Sequence, residues 1–573
     1  VFPLRLLDVA VSFGGLDSSV HQARRVPRTG TRVACCSRMD RFFAVRLLCL
    51  LGFCLAKSAS VKVLVVGGGV SGLSAARTLL DSVQDTKDTI EVVVLEGRDR
   101  YGGRTYTKQQ SAFGAAGITG GQLDAGASWI HGSSSDHPIT KLCQALGIER
   151  KETLEDLSLK VGSTLLGPDD NGEDDYSAIL DKALDRGSPD QSLWDAMEGV
   201  SSNGKDRESQ TVQFFLANYI EFDTSSPATK ISATGWDEGE VFDGVEEILV
   251  PGYSSIPKAL KEGTVKVNTG LPSLSASART PQAGHVVDVR LGAKAVRIAK
   301  NDGQVEVTTS GSVADTFAAD YVIIAVPLGV LKAGSITFDP VLSQQKTKAI
   351  AGIGFGNVVK VSLLFTQAWW VPAVNNQWFG VARTGSERGL FTGFFNVHKV
   401  TNTPVLMTFG LGEAADVAEA MSDAEIWQKV RMNLVAIFGE DVVPADAVAI
   451  SVGKWGADEF SKGAYSHYKP GTQAEHFQTF TDDEWDGMLI FAGEHAHEDY
   501  FSTVHGAFMA GQRAARSVLD HAGIGAKLSS ARSQVSPSFL TLFLYFLVTN
   551  LARIRVIITS LYDFLTTRVP YYA

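Results

Sequence analysis

The sequence predicts an α/β fold, a parallel sheet with helices against it and a second α+β domain interleaved with it along the chain. Three observations predict this. Val61 to Gly72, Val-Lys-Val-Leu-Val-Val-Gly-Gly-Gly-Val-Ser-Gly, is an unbroken valine-rich run that ends in glycines and continues through Leu73-Ser-Ala-Ala-Arg-Thr-Leu-Leu80 at helical spacing, which reads as buried strand, tight turn and helix. Ile90 to Glu96 follows about one helix later as a second strand ending in an acid. The 573-residue chain is too long for one ordinary core, so two domains, sequential or intertwined, are expected.

The first two stretches together form the start of a dinucleotide-binding βαβ unit. Gly67 permits the turn, Gly69 lets the backbone approach a pyrophosphate, and Gly72 lets the helix pack closely on the strand. Ser71 lies in the same turn, and the helix N-terminus is left facing the phosphates. Glu96 stands where it can accept hydrogen bonds from a ribose. A glycine triplet alone is weak evidence, because glycine-rich turns are common; the second strand and its terminal acid supply the context.

The net charge of -11 argues against nucleic acid as a partner and mildly favours a cationic substrate, although ordinary acidic solubility explains it equally well. Four of the five cysteines, Cys35, Cys36, Cys49 and Cys54, precede the first strand, and only Cys143 lies in the body, so neither a disulfide framework nor a cysteine metal cluster is expected.

Residues 1–38 show no sustained period and read as a non-native or disordered extension. Met39 is followed by a basic start, an apolar core and a small-residue end near Ala56 and Ser58, so residues 39–58 read as a secretory signal peptide, with a short membrane anchor as the alternative. The expected location is therefore the secretory pathway, extracellular or membrane-associated. Residues 526–573 hold a serine-rich linker and an apolar stretch from Phe539 to Ala552, too short for the ~20 residues of a full span, which reads as an interfacial anchor or a docked terminal helix.

After Glu96 comes Gly97-Arg98-Asp99-Arg100-Tyr101-Gly102-Gly103-Arg104-Thr105, a second glycine pair bracketed by arginines. It resembles the phosphate-contacting stretch of flavoproteins with two dinucleotide-binding domains. The following Leu123-Asp-Ala-Gly-Ala-Ser-Trp-Ile-His-Gly132 narrows the resemblance to the flavin-containing amine oxidases, and its Ser-Trp-Ile-His-Gly form is most similar to the polyamine oxidases. The similarity runs over roughly residues 61–520. It implies a Rossmann-like FAD domain made of residues 59–138, 251–331 and 450–525, with residues 139–250, expected to be mostly helical, and 332–449 forming the substrate-binding domain.

The same resemblance assigns roles along the chain. Arg98, Gly103 and Arg104 join the cofactor-binding set. Val296, in the strand from Ala293 to Ala299, falls at the adenine, and Asp320-Tyr-Val-Ile-Ile-Ala-Val-Pro327 resembles the second flavin segment. Lys360 sits in an apolar strand, Ile353 to Phe365; a solvent-facing strand edge would explain it, but the resemblance implies a lysine that holds a water at the flavin N5. The third flavin segment starts at Ile450. Within it Trp455 stacks near the isoalloxazine or fills the core, and Ala464 replaces the cysteine that bonds the flavin in monoamine oxidases, so FAD is held non-covalently. Tyr465 matches one wall of the family's aromatic cage, whereas the opposite wall falls at Thr503, which leans the preference toward longer aliphatic amines.

Met488 to Ala515 carries Gly493-Glu494, with Glu494 at the ribityl or ribose hydroxyls, and a helix beginning near Thr503-Val504 whose amides can stabilise negative charge on a reduced flavin. His131 faces the substrate channel in the resembling enzymes, with a core histidine as the plain alternative. His495, His497 and His505 are spaced as metal ligands could be, but the implied chemistry needs no metal. The implied reaction is FAD-dependent oxidation of a polyamine, spermine, spermidine or an acetylated form, by O2 to an aminoaldehyde, a smaller amine and hydrogen peroxide. An L-amino acid or monoamine oxidase, a histone-demethylase-like enzyme and a non-enzymatic flavin-binding protein remain as alternatives; the first would need an arginine clamp for the substrate carboxylate, which the sequence does not reveal.

Overall fold

Two short runs of valine and leucine form the centre of the fold. In the computed structural model, which describes residues 60–84, 87–108, 123–267, 276–278, 280 and 286–524, Ser60–Val66 and Thr89–Glu96 are parallel strands paired from Ser60 with Thr89 to Val66 with Leu95. The helix Val70–Ser82 joins them. Val63, Leu64 and Val65 are fully buried, which is why this strand reads as a continuous apolar run rather than as an alternation.

Five strands form this sheet, in the order Asp288–Leu291, Thr89–Glu96, Ser60–Val66, Tyr321–Ile324, Leu489–Phe491, and every pairing is parallel. Stretches more than 400 residues apart in sequence thus meet in one sheet. The helix Val504–His521 lies against Val70–Ser82, with Ser74 Oγ donating to the Phe508 carbonyl at 2.8 Å and no room for a Cβ at Gly511, which would come 2.1 Å from the Ser71 carbonyl oxygen. One apolar cluster covers this face of the sheet, and a second cluster on the other face takes in a four-stranded sheet containing Lys294–Asn301.

The second main sheet has seven strands: Ala449–Lys454, Val359–Leu364, Val405–Gly410, Leu390–Asn396, Trp378–Val381, Leu157–Val161 and Thr164–Leu166. It is antiparallel except where Trp378–Val381 runs parallel to Leu157–Val161. Helix Asp423–Phe438 joins its apolar packing through Ile426, Val430 and Leu434. Glu173–Arg186 and Gln210–Phe215 contribute to a separate cluster around Tyr176, Ile179 and Phe215. The architecture is the α/β arrangement with an interleaved α+β part that the sequence predicts.

Two details differ from the sequence expectations. Residues 139–250 are not only helical: Arg150–Thr153, Leu157–Val161 and Glu246–Leu249 are strands, and Leu157–Val161 enters the seven-stranded sheet. Ala449–Lys454, grouped by the sequence with the third flavin segment, pairs instead with the Lys360 strand. The expected signal peptide and the apolar tail lie outside the described residues. Among the described residues, no helix is long and apolar enough to cross a membrane.

Candidate active site

The glycine turn opens one end of a cavity of about 670 Å³ that runs to the inner strands of the seven-stranded sheet. Gly67 has φ +112°, and a Cβ there would lie 2.6 Å from the Ala325 carbonyl oxygen; at Gly72 it would lie 2.0 Å from that of Gly67. Both glycines are thus demanded by packing. Gly69 differs: it is the N-cap of the helix Val70–Ser82, it lines the cavity, and a Cβ there would meet no protein atom within 4 Å. Gly102 donates its N–H to the Gly68 carbonyl at 2.8 Å, so the second glycine pair lies directly on the first turn. A helix start, two glycine turns in contact and open space at Gly69 form a cradle that fits a dinucleotide pyrophosphate.

Side chains fix this cradle. Glu96 accepts from Gly68 N at 2.7 Å through one oxygen and from Arg98 N at 2.9 Å through the other. Arg98 crosses the cavity end to Asp458 at 2.5 Å and Ser461 at 2.9 Å. Ser71 Oγ accepts from Gly493 N at 2.9 Å, tying the first motif to the last. Glu494 pairs with Arg104 at 3.1 Å and accepts from Ser466 Oγ at 2.6 Å and Ser502 N at 3.0 Å. Burial works against its ionised form, but Arg104, His495 and the Ser466 hydroxyl outweigh that and hold the carboxyl below the usual range. Arg104 also donates to the Ala464 carbonyl.

Gly67, Gly69, Ser71, Glu96, Arg98, Gly103, Arg104, Gly493, Glu494 and Val504 all line the cavity. Gly72 does not, as its packing role requires. Nor does Val296; Ala293, Lys294 and Ala295 do instead. The pairing of this strand shifts register between Ala295 and Arg297, so Val296 sits at an irregularity that simple alternation does not anticipate.

The middle of the cavity holds Lys360. It lies in Val359–Leu364, second from the edge of its sheet, and every residue of that strand is buried. Its Nζ donates to the Gly126 carbonyl at 2.6 Å and to Ser128 Oγ, and faces the rings of Trp129 and Phe409 at 5.3 and 5.9 Å. Burial pushes its pKa down, with Asp124 opposing. Trp455 is buried and donates Nε1–H to the Ala125 carbonyl at 3.0 Å, lining the cavity beside the Lys360 anchor.

Beyond Lys360 the cavity is aromatic and then acidic. Tyr465 donates its hydroxyl to the Phe222 carbonyl, and burial raises its pKa, with Asp223 adding to that. Thr503 is an N-cap: its hydroxyl accepts from Gly506 N at 2.9 Å and donates to the Tyr500 carbonyl at 2.8 Å. Trp129, Phe222, Trp378 and Phe409 supply aromatic surface that the sequence reading did not assign; Trp129 and Trp378 stack at 6.0 Å, and Phe222 and Phe409 lie 4.7 Å apart. Trp129 stands next to the His131 motif and could have been flagged; the other three come from separate elements and carry no local signal.

His131 follows the short strand Trp129–Ile130, which pairs with Glu246–Leu249 so that His131 falls beside Glu246. Nδ1 lies 2.7 Å from Glu246. Desolvation within the cavity pulls the imidazole pKa down, but Glu246, with Asp223 and Glu155 adding, outweighs this and raises it. The helix Gln210–Phe215 passes through a π-helical turn, Leu216–Ile220, into Glu221–Thr224, and places Asn218, Tyr219, Phe222 and Asp223 on the cavity wall. Desolvation within the cavity lifts the Asp223 carboxyl to about 6, His131 opposes, and Glu155 and Glu246 add to the rise. Glu155 and Glu246 also line this end.

A parallel sheet with a glycine-turn cradle at its strand ends, opening onto a buried lysine and an aromatic pocket, defines a dinucleotide-binding flavoprotein. The chain belongs to the flavin containing amine oxidoreductase family, which it matches across residues 70–519. Its cofactor is FAD, held non-covalently, and Ala464 offers no nucleophile for a bond to it. Polyamine oxidase 2 of Arabidopsis thaliana is 30% identical over 484 residues, covering 80% of this chain and 88% of that protein. Lysine-specific histone demethylase 2 of Homo sapiens is 30% identical over 478 residues, covering 80% of this chain; the chain spans 53% of that relative's length. A solved putrescine oxidase with putrescine bound superposes with a TM-score of 0.59 at 18% identity, covering 81% of this chain and all of that one, which supports the fold.

Proposed function

We propose that the chain oxidises linear polyamines, such as spermine, spermidine or their acetylated forms, to an aminoaldehyde and a smaller amine. The observation that carries this reading is the wall beyond Lys360. It combines aromatic rings with the carboxylates Glu155, Asp223 and Glu246, and among the described lining residues its only arginines, Arg98 and Arg104, belong to the nucleotide end. Such a wall fits a chain with several ammonium groups and offers no guanidinium for an α-carboxylate.

Bound FAD supplies a two-electron acceptor, and its reoxidation by O2 yields hydrogen peroxide. Trp129, Trp378 and Tyr465 exclude water around the reacting carbon and favour the neutral amine there by penalising the ammonium. Asp223 and the His131–Glu246 pair hold more distant nitrogens of the substrate, whose charge they balance. Lys360 holds its amine toward the reacting centre. Water then hydrolyses the imine product to aldehyde and amine.

A panel of spermine, spermidine, N-acetylated polyamines, putrescine, L-amino acids and an N-methyl-lysine peptide, read by peroxide release and product identification, tests the reading. Turnover of the polyamines with little on the other substrates is the expected result. Turnover of amino acids or of the peptide alone would overturn it. The secretory location suggested by residues 39–58 belongs to the same proposal, and fractionation of a tagged full chain checks it.

A further inference from the structure

We propose that Asp124 and Ser128 are positioning residues for Lys360: Ser128 holds its amine through the hydroxyl, and Asp124 anchors the stretch that carries both of the amine's acceptors. The inference rests on reading Lys360 as a residue of the reaction, and goes beyond it by naming what controls that lysine.

The argument begins with what Nζ can donate. An ammonium carries three N–H groups. One goes to the Gly126 carbonyl at 2.6 Å and one to Ser128 Oγ, leaving the third for the cavity that Lys360 lines. Both acceptors belong to one short stretch, Asp124 to Ser128, and this stretch is fastened at nearly every residue. Asp124 accepts from Thr107 Oγ1 at 2.5 Å and from Tyr253 N at 3.1 and 3.3 Å. Ala125 donates its N–H to the Tyr106 carbonyl at 2.8 Å and accepts from Trp455 Nε1 at 3.0 Å. Ala127 donates to the Arg104 carbonyl at 3.1 Å. A Cβ at Gly126 would lie 1.7 Å from the Arg104 carbonyl oxygen, so this backbone is pressed flat against its neighbour. The acceptors of Lys360 are therefore immobile, and they fix where its third N–H points.

Charge completes the case. Lys360 is 5% exposed. The groups packed on Nζ are the rings of Trp129 and Phe409, the Gly126 carbonyl and the Ser128 hydroxyl, all uncharged. Asp124 is the charged group that opposes the effect of burial on Lys360. It is itself buried; burial raises its carboxyl to about 7, and Lys360, Thr107 and the Tyr253 amide oppose that rise. Each partner favours the charged form of the other, so removing the Asp124 charge leaves burial alone acting on the lysine. Ser128 lines the cavity as well, and its own O–H has no acceptor among the described protein groups.

Anaerobic stopped-flow reduction of the FAD-loaded enzyme by spermine, followed from pH 6 to 10, tests this with Lys360→Met, Asp124→Asn, Ser128→Ala and Ser128→Thr. Flavin content read by absorbance separates positioning from loss of the fold. The limb of the wild-type pH profile that disappears in Lys360→Met is expected to move toward lower pH by about one unit or more in Asp124→Asn. It should move less, in the same direction, in Ser128→Ala and return in Ser128→Thr. A limb that stays at the wild-type pH in a flavin-loaded Asp124→Asn enzyme would overturn the inference while leaving Lys360 in the mechanism. Reduction by Lys360→Met at the wild-type rate would overturn the reading of Lys360 itself. If Asp124→Asn does not fold, the serine pair decides: a shift in the alanine variant restored by threonine supports the inference, and no shift overturns it.

Discussion

At the residue scale, the proposed function has Asp223 hold substrate and Lys360 act on the reaction. Asp223 lies at the end of the π-turned helix on the acidic part of the cavity wall, and among the described residues no hydrogen bond or ion pair to another side chain engages it. Asp223→Asn keeps the shape and removes the charge. The expected outcome is a KM for spermine raised about tenfold, worth about 1.4 kcal/mol, with kcat little changed and no effect on a monoamine; steady-state peroxide release checks it. Lys360→Met removes the buried amine while keeping the side-chain volume, and should slow flavin reduction by about 100-fold with FAD content unchanged. These two residues also show where sequence reasoning stops. Lys360 alone suggests a solvent-facing strand edge; in the structure Ala449–Lys454 covers that edge, with Gly453, more than 90 positions away, paired to Lys360. Asp223 carries no signal at all, since its place depends on a π-helical turn that no spacing announces.

At the scale of elements, the glycines of the first turn divide their labour. Gly67 and Gly72 are required by neighbouring carbonyls, whereas Gly69 opens only onto the cavity. Gly72→Ala should therefore destabilise the folded protein or prevent its accumulation. Gly69→Ala should fold normally as apoprotein and lose FAD affinity; thermal melting and flavin titration of the two variants distinguish the roles. The helix Val504–His521 offers a related test. Thr503 caps it by accepting from Gly506 N, so Thr503→Ala should cost about 1 kcal/mol, seen as a lowered melting temperature. Thr503→Ser, which keeps the acceptor, should restore it. The glycine turn was legible in the sequence because strand, turn, helix and acid are contiguous. Val296 is not on the cavity lining, whereas Ala295 is, and the register shift between Ala295 and Arg297 at that point leaves no mark in the sequence pattern.

At the scale of the whole molecule, stability follows buried histidines. Burial pulls His137 and His467 down to about 3, His505 to about 2 and His495 to about 4. His137 Nδ1 accepts from the Ile139 and Thr140 amides, so its Nε2–H donates to His505 Nδ1 at 3.0 Å; this pair joins the starts of two helices in its neutral form. In the unfolded chain these histidines take up protons below about pH 6.5, whereas in the folded protein they stay neutral to about pH 4. Their contribution to stability is thus fully present above about pH 6.5 and falls as pH drops, by up to about 1.4 kcal/mol per pH unit for each histidine. Melting temperatures from pH 8 to pH 5 should show this decline. His137→Asn, which retains a helix cap and removes one titrating group, should reduce its slope. By itself the sequence determined the βαβ cradle, the kind of dinucleotide it holds and the family of chemistry, because those are written in short contiguous patterns whose geometry the backbone enforces locally. Only the tertiary structure decided the aromatic and acidic cavity wall, the burial of Lys360 and its bonds to Gly126 and Ser128, because those depend on which distant strands and helices pack together once water is excluded between them.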